Sequence, residues 1–286
     1  MRTHLSILLL LLVVRSAFAA SDLALQLLAD GEYAASGVEF RRLALSTDVP
    51  AESATWYWMA ARAYAACGYL DSVESCLSLA KEQDGDSLAA ASACLRGELA
   101  YADGDYDIAE EQFRAFGEAS ASNPLALDFA LRFRTAAALR NGDAARAREV
   151  AQSLPEGESR DDVLAALDAY AAAPRKKPWL GGVLGLIPGL GHVYSGEYAN
   201  GFRSLFLNGL FLWGMVEAAD EDLWGVFAVA GFAELTWYSG SVYGGIDAAH
   251  RYNRARLDEA AASIEGTRRP APDADALPLL QLRFDF

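Results

Sequence analysis

Four short strings recur along the first half of the chain: GEYAASGVEF from Gly31, GYLDSVESCL from Gly68, GDYDIAEEQF from Gly104 and GDAARAREVA from Gly142. Their spacings are 37, 36 and 38 residues. A repeat of this period restricts the fold strongly, because each unit is one supersecondary element that buries its apolar face only by stacking on its neighbours. Each glycine closes one apolar-periodic stretch and opens another. That pattern predicts a helix, a tight turn at glycine and a second helix running back. The expected fold class is all-α, a helical-hairpin array over residues 20–173.

The third copy, CLRGELAYADGDYDIAEEQFRAF, is the clearest. Gly97 and Ala109 are small enough to let two antiparallel helices approach, and Phe113 fills the space beside them. The second copy has Ala61, Tyr64 and Leu77 at these places, the first has Ser36 at the small position, and the fourth has Ala151 at the aromatic one. This small–small–aromatic pattern resembles the tetratricopeptide repeat (TPR). The period here is longer than the family's, and the unit-ending prolines (Pro50, Pro124) come late or are missing. The resemblance implies an α-solenoid whose concave groove binds a peptide or protein; a rigid spacer without a ligand is the alternative. Trp56, Tyr57 and Trp58 are candidate groove anchors, although such side chains also serve as core packing.

Composition separates the two halves. From Ala20 to Pro174 there are 12 Lys+Arg against 26 Asp+Glu, a net of −14, whereas from Arg175 to Phe286 there are 10 against 13, a net of −3. So acidic a first half repels polyanions, which excludes nucleic-acid binding. MRTHLSILLLLLVVRSAFAASD at the start has the layout of a secretory signal peptide, residues 1–19, with small residues at Ala17 and Ala19. Cys67, Cys76 and Cys94 are an odd number, so a disulfide framework is not expected; one bridge or three core thiols remain open.

PRKKP at 174–178 reads as a linker, after which the composition changes. Between Trp179 and Ile246 lie 14 of the 24 glycines and four of the six tryptophans. Two apolar stretches, Gly201–Val216 and Leu223–Ile246, flank the acidic turn EAADED. At 1.5 Å per residue they reach roughly 24 and 36 Å. Against a bilayer core of about 30 Å, residues 179–248 read as a membrane module with a glycine-rich transmembrane helical hairpin. A soluble, buried hairpin is the other reading. Folding the stretches back at the turn places Arg203 and Glu234 at similar depth, as an intramembrane pair acting as a register clasp or an ion relay.

Before the hairpin stands GLIPGLGHVYSGEYANG. Pro188 and Gly189 stop the preceding apolar helix, and Gly181, Gly185 and Gly189 form a glycine face for close contact. The segment is expected to be a re-entrant or interfacial turn packed on the hairpin. Its Pro188, Gly189, Gly191, His192, Tyr194, Gly196 and Gly201 resemble a PGxGxxYxG motif of small bacterial membrane modules, similar to the TM2 domain. The resemblance implies a membrane-embedded unit and no catalytic residues. His192 has no second ligand nearby in sequence, so it reads as a cap on a backbone turn.

Residues 249–265 read as an amphipathic helix and 266–286 as a flexible tail ending in the alternating, strand-like LLQLRFDF. No phosphate loop, metal-ligand spacing or nucleophile–base arrangement appears. The sequence therefore predicts no enzyme, no cofactor and no metal. It predicts an exported, membrane-tethered adaptor or scaffold of the bacterial cell envelope, with protein partners on the repeats and lipid on the module. Its expected place is the inner membrane with a periplasmic repeat domain, or the outer membrane. The alternative is a transport or channel subunit in which Arg203 and Glu234 line a path.

Overall fold

The structure, a computed structural model, describes residues 23–266. The expected signal peptide, residues 1–19, and the end expected to be strand-like lie outside these residues. Among the described residues all regular structure is helical.

Helix α1 (residues 23–29) is followed by α2 (Tyr33–Ser46), α3 (Pro50–Ala66), α4 (Leu70–Asp84), α5 (Ala89–Asp103), α6 (Tyr106–Ala119), α7 (Pro124–Arg140) and α8 (Ala144–Gln152). The four repeat glycines sit at the four expected turns, with φ of 80°, 73°, 90° and 85° at Gly31, Gly68, Gly104 and Gly142. The residue after each glycine donates its N–H to the carbonyl five positions back: Glu32 to Leu27 at 2.8 Å, Tyr69 to Tyr64 at 3.0 Å, Asp105 to Ala100 at 2.8 Å and Asp143 to Ala138 at 3.0 Å. This is the Schellman cap, which needs a left-handed residue where a Cβ is unfavourable. One local device, used four times, makes the hairpins. Pro50 and Pro124 open α3 and α7 at the first helical turn, where a missing N–H costs nothing.

Packing follows the small–aromatic pattern. Phe113 is fully buried, and a Cβ on Gly97 would stand 3.0 Å from its ring. In the second hairpin Ala61, Tyr64 and Leu77 are buried together, and Tyr64 lies over Gly37 of α2, where a Cβ would come within 2.7 Å of the ring. The first copy's Ser36 satisfies its buried hydroxyl by donating to the Ala24 carbonyl at 2.8 Å. Ala151 is buried in the fourth. Cys67, Cys76 and Cys94 form no disulfide, so the optional bridge is absent.

Helix α9 (Glu158–Ala172) leads to α10 (Pro178–Leu184), α11 (Leu190–Tyr194), α12 (Tyr198–Asp220) and α13 (Trp224–Glu265). The described residues divide into two compact units, one of residues 23–160 together with 265–266, the other Asp161–Ile264. The division falls within α9, ahead of the Pro174–Pro178 linker. In the second unit, Ala166, Ala169 and Tyr170 share the walls of a cavity of about 200 Å³ with Arg256, Ala260 and Ser263 of α13. The segment 249–265 is no separate amphipathic helix but the continuation of α13.

The helical hairpin is present, but its membrane reading is overturned. Among the described residues no helix is long and apolar enough to cross a membrane. The transmembrane helices, the membrane-protein assignment and the inner-membrane location are thereby corrected, and the tether and re-entrant turn built on them fall too. The physical reason is dilution. Helix α12 carries Arg203, Ser204, Asn208 and three glycines (Gly201, Gly209, Gly214) within its apolar stretch. In α13, Gly, Ser, Thr, Tyr and Trp residues take places that a membrane span gives to leucine, isoleucine or valine.

Candidate functional site

The PGLGHVYSGEYANG segment packs backbone against backbone within the second unit. Gly189, with φ 88°, ends the turn after Pro188 and starts α11. A Cβ at Gly189 would meet the Gly201 carbonyl oxygen at 2.1 Å; at Gly191, the Gly181 oxygen at 2.4 Å; and at Gly181, the Gly245 oxygen at 2.3 Å. Gly185 faces the Ser241 carbonyl in the same way, at 2.8 Å. Of the expected glycine face, Gly181 and Gly185 meet the backbone of α13, whereas Gly189 meets Gly201 of α12. Missed from the sequence was the receiving surface, Ser241, Gly244 and Gly245; its signal was the run SVYGG. Gly196, with φ 85°, repeats the hairpin cap: Glu197 donates to the His192 carbonyl at 2.9 Å.

His192 Nδ1 lies 3.1 Å from Glu197 Oε2. Glu197 also accepts from Asn200 Nδ2 at 2.8 Å and from Arg251 Nε and Nη2 at 2.8 and 2.9 Å. Asp247 accepts from Arg251 on the same helix. Burial pushes the Glu197 carboxyl up, but hydrogen bonds from Asn200, Arg251 and His192, with the arginine charge, outweigh it and hold the group below the usual carboxylate range. The other His192 nitrogen faces Gly244, where a Cβ would come within 2.7 Å. The histidine thus joins a carboxylate clasp between α11, the start of α12 and α13. Among the described residues no group of three or more His, Cys, Asp or Glu is placed to hold a metal.

Tyr194 accepts from the Lys177 N–H at 2.9 Å, and the Lys176 ammonium stands 4.7 Å over its ring. Asn253 brackets the Lys176 peptide, accepting from its N–H at 2.9 Å and donating to its carbonyl at 2.8 Å. The basic linker is tied down by α11 and α13.

The Arg203–Glu234 pair does not form. Ser204 Oγ donates to Ser241 Oγ at 3.1 Å, which sets the register of the hairpin. In that register Arg203 lies about eight residues, or roughly 12 Å, along the axis from the level of Glu234. Arg203 is exposed, while Glu234 is buried with Oε2 unpartnered. The two charges therefore do not line a common path. Burial pushes the Glu234 carboxyl above its ordinary value, so folding penalises its ionised form. The penalty is full above the folded-state pKa and gone below the unfolded-state one. Glu234→Gln is expected to raise the melting temperature at pH 7, with the gain vanishing below about pH 4. Thermal melts of both forms across that range measure it; a destabilised variant at pH 7 would show that the carboxylate has a favourable partner.

The aromatic triplet is also corrected. Tyr57 and Trp58 are buried, and Trp56 stacks on Phe40 with ring centroids 5.9 Å apart. Their place in α3, against α2 and α4, puts Tyr57 and Trp58 in the core and Trp56 half-buried against it, which argues against a role as groove anchors.

What the first unit does display is an open groove of about 950 Å³ beside the turns of hairpins α3–α4 and α5–α6. Cys67, Leu70, Val73, Leu99 and Ile108 supply its apolar lining, and Glu74, Asp103 and Asp105 its acidic rim. Leu70 and Ile108 are half exposed, at 50% and 52%. The single lining arginine, Arg96, is already engaged by Glu74 at 2.7 Å. Burial pushes the Cys67 thiol up, which keeps it protonated at neutral pH. Compared with known proteins, the chain matches no family model, no curated protein and no solved structure.

Proposed function

We propose that the chain is a non-enzymatic adaptor whose TPR-like helical hairpins bind a segment of another protein. The occupant is a basic peptide carrying aliphatic side chains. The observation behind this reading is the groove at the hairpin turns. Leu70 and Ile108 are large apolar side chains left half uncovered, and Asp103 and Asp105 line the same groove, whose one lining cation, Arg96, is already paired with Glu74. The unit's net negative charge adds long-range attraction for such a peptide. Aliphatic contacts supply affinity, and the carboxylates supply orientation and association rate.

The test uses the full chain and a fluorescent peptide of alternating leucine and lysine, read by anisotropy. Leu70→Asp with Ile108→Asp removes the apolar contacts without touching the buried core. The expected loss is about tenfold or more in affinity, with binding that weakens as salt rises. A peptide that binds the double variant as tightly, or an acidic peptide that binds the parent equally well, would refute the groove as the site.

A further inference from the structure

The outer face of α12 has a symmetry of charge that its own chain leaves unused. Arg203, Phe206, Leu210, Trp213 and Glu217 are all exposed. At 100° per residue they fall within an arc of about 80° on one side of the helix. The residues that face α13, among them Ser204 and Asn208, lie on another side. Arg203 and Glu217 are equidistant in sequence from Leu210, some 21 Å apart along the axis, and neither makes a side-chain ion pair among the described residues. On this side of α12, Phe202, Phe206, Leu210 and Trp213 are about half to two-thirds uncovered, while the hairpin's other exposed aromatics, Tyr198, Trp224, Phe232, Trp237 and Tyr243, lie elsewhere on the two helices. The four leave about 450 Å² of apolar surface. That falls in the range of the largest patch of an ordinary monomer, about 300–600 Å² and often functional, and is about half of the roughly 800 Å² each partner gives to a standard interface.

We infer that this face binds a second copy of the chain. Two α12 helices pair antiparallel about a twofold axis through Leu210, so that Arg203 of each copy meets Glu217 of the other. A surface with opposite charges at equal distances from an apolar centre is complementary to itself under that rotation and under no parallel one, where like charges would face each other. The apolar middle supplies the affinity and the two charge pairs select the orientation. A hetero-partner would have to reproduce the same spacing, whereas the identical chain carries it already.

The full chain is studied by sedimentation velocity over a concentration series, together with Arg203→Glu, Glu217→Arg and the double exchange. The parent is expected to be a dimer. Each single reversal should weaken it by about tenfold, and the double exchange should restore it. Orientation is read by oxidising Leu210→Cys and Arg203→Cys separately. Only the first should give a new covalent dimer, because two copies of residue 203 in the antiparallel pair lie far beyond the roughly 7 Å a disulfide can span. A monomeric parent overturns the inference, as do single reversals without effect, a double exchange that restores nothing, or cross-linking at residue 203. Binding of the monomer to phosphatidylcholine–phosphatidylglycerol vesicles through Phe206 and Trp213 would likewise overturn it and assign the face to lipid.

Discussion

Phe113→Ala is expected to destabilise the N-terminal unit by about 3–5 kcal/mol, the range for emptying a buried phenylalanine site. The ring is fully buried. It stands 5.1 Å from Phe133 and 5.9 Å from Phe129, and these two stand 4.4 Å from each other. Its other side rests on the bare backbone of Gly97. Against a typical total of about 5–15 kcal/mol for a domain, a loss of this size leaves the unit marginal. Circular-dichroism melts of the full chain should show the transition falling by roughly 10 °C. Phe113→Leu, which keeps most of the volume, should cost less than about 1.5 kcal/mol. An alanine variant no weaker than the leucine one would mean that the repeats collapse around the cavity and that Phe113 is not what spaces them.

The second large effect lies in the other unit. Gly189→Ala places an L side chain at φ 88° with its Cβ 2.1 Å from the Gly201 carbonyl oxygen. The left-handed conformation costs about 1–2 kcal/mol, and forcing two backbones apart costs about 1–3 kcal/mol more. Gly196→Ala is the matched control. Its φ is 85°, yet nothing lies within 4 Å of the added Cβ. The Gly189 variant should therefore lose clearly more stability in urea titrations than the Gly196 variant. Equal losses would show that the glycines serve only their turns, and that the approach of α11 to the start of α12 is loose.

The two glycines also show why the chain was only partly legible. Gly31, Gly68, Gly104, Gly142 and Gly196 all terminate helices by one cap, and a cap is chemistry among six consecutive residues. Such a signal survives in a bare sequence, so the hairpins and their turns could be read directly. Gly97 beside Phe113 was legible as well, because the pattern came with a known spacing within a single hairpin. Trp56, Tyr57 and Trp58 were not. Their side chains are cyclic, large and half polar, and nothing local says whether a neighbouring helix covers them; α2 and α4 do.

The hairpin of the second unit marks the same boundary. Its two helices and the acidic turn between them follow from composition and periodicity. Arg203 and Glu234, matched by counting back from the turn, miss each other because the Ser204–Ser241 contact sets the register. The candidate groove was even less visible, since it is assembled from the ends of four helices far apart in sequence. The sequence by itself thus determined the helices, the left-handed glycine caps and the pairing of neighbours in hairpins, all products of short-range hydrogen bonding and helical period. The tertiary structure alone decided which aromatics are covered, which charges meet and where a groove opens. Those outcomes depend on close packing between distant segments, where a shift of one residue exchanges a buried face for an exposed one.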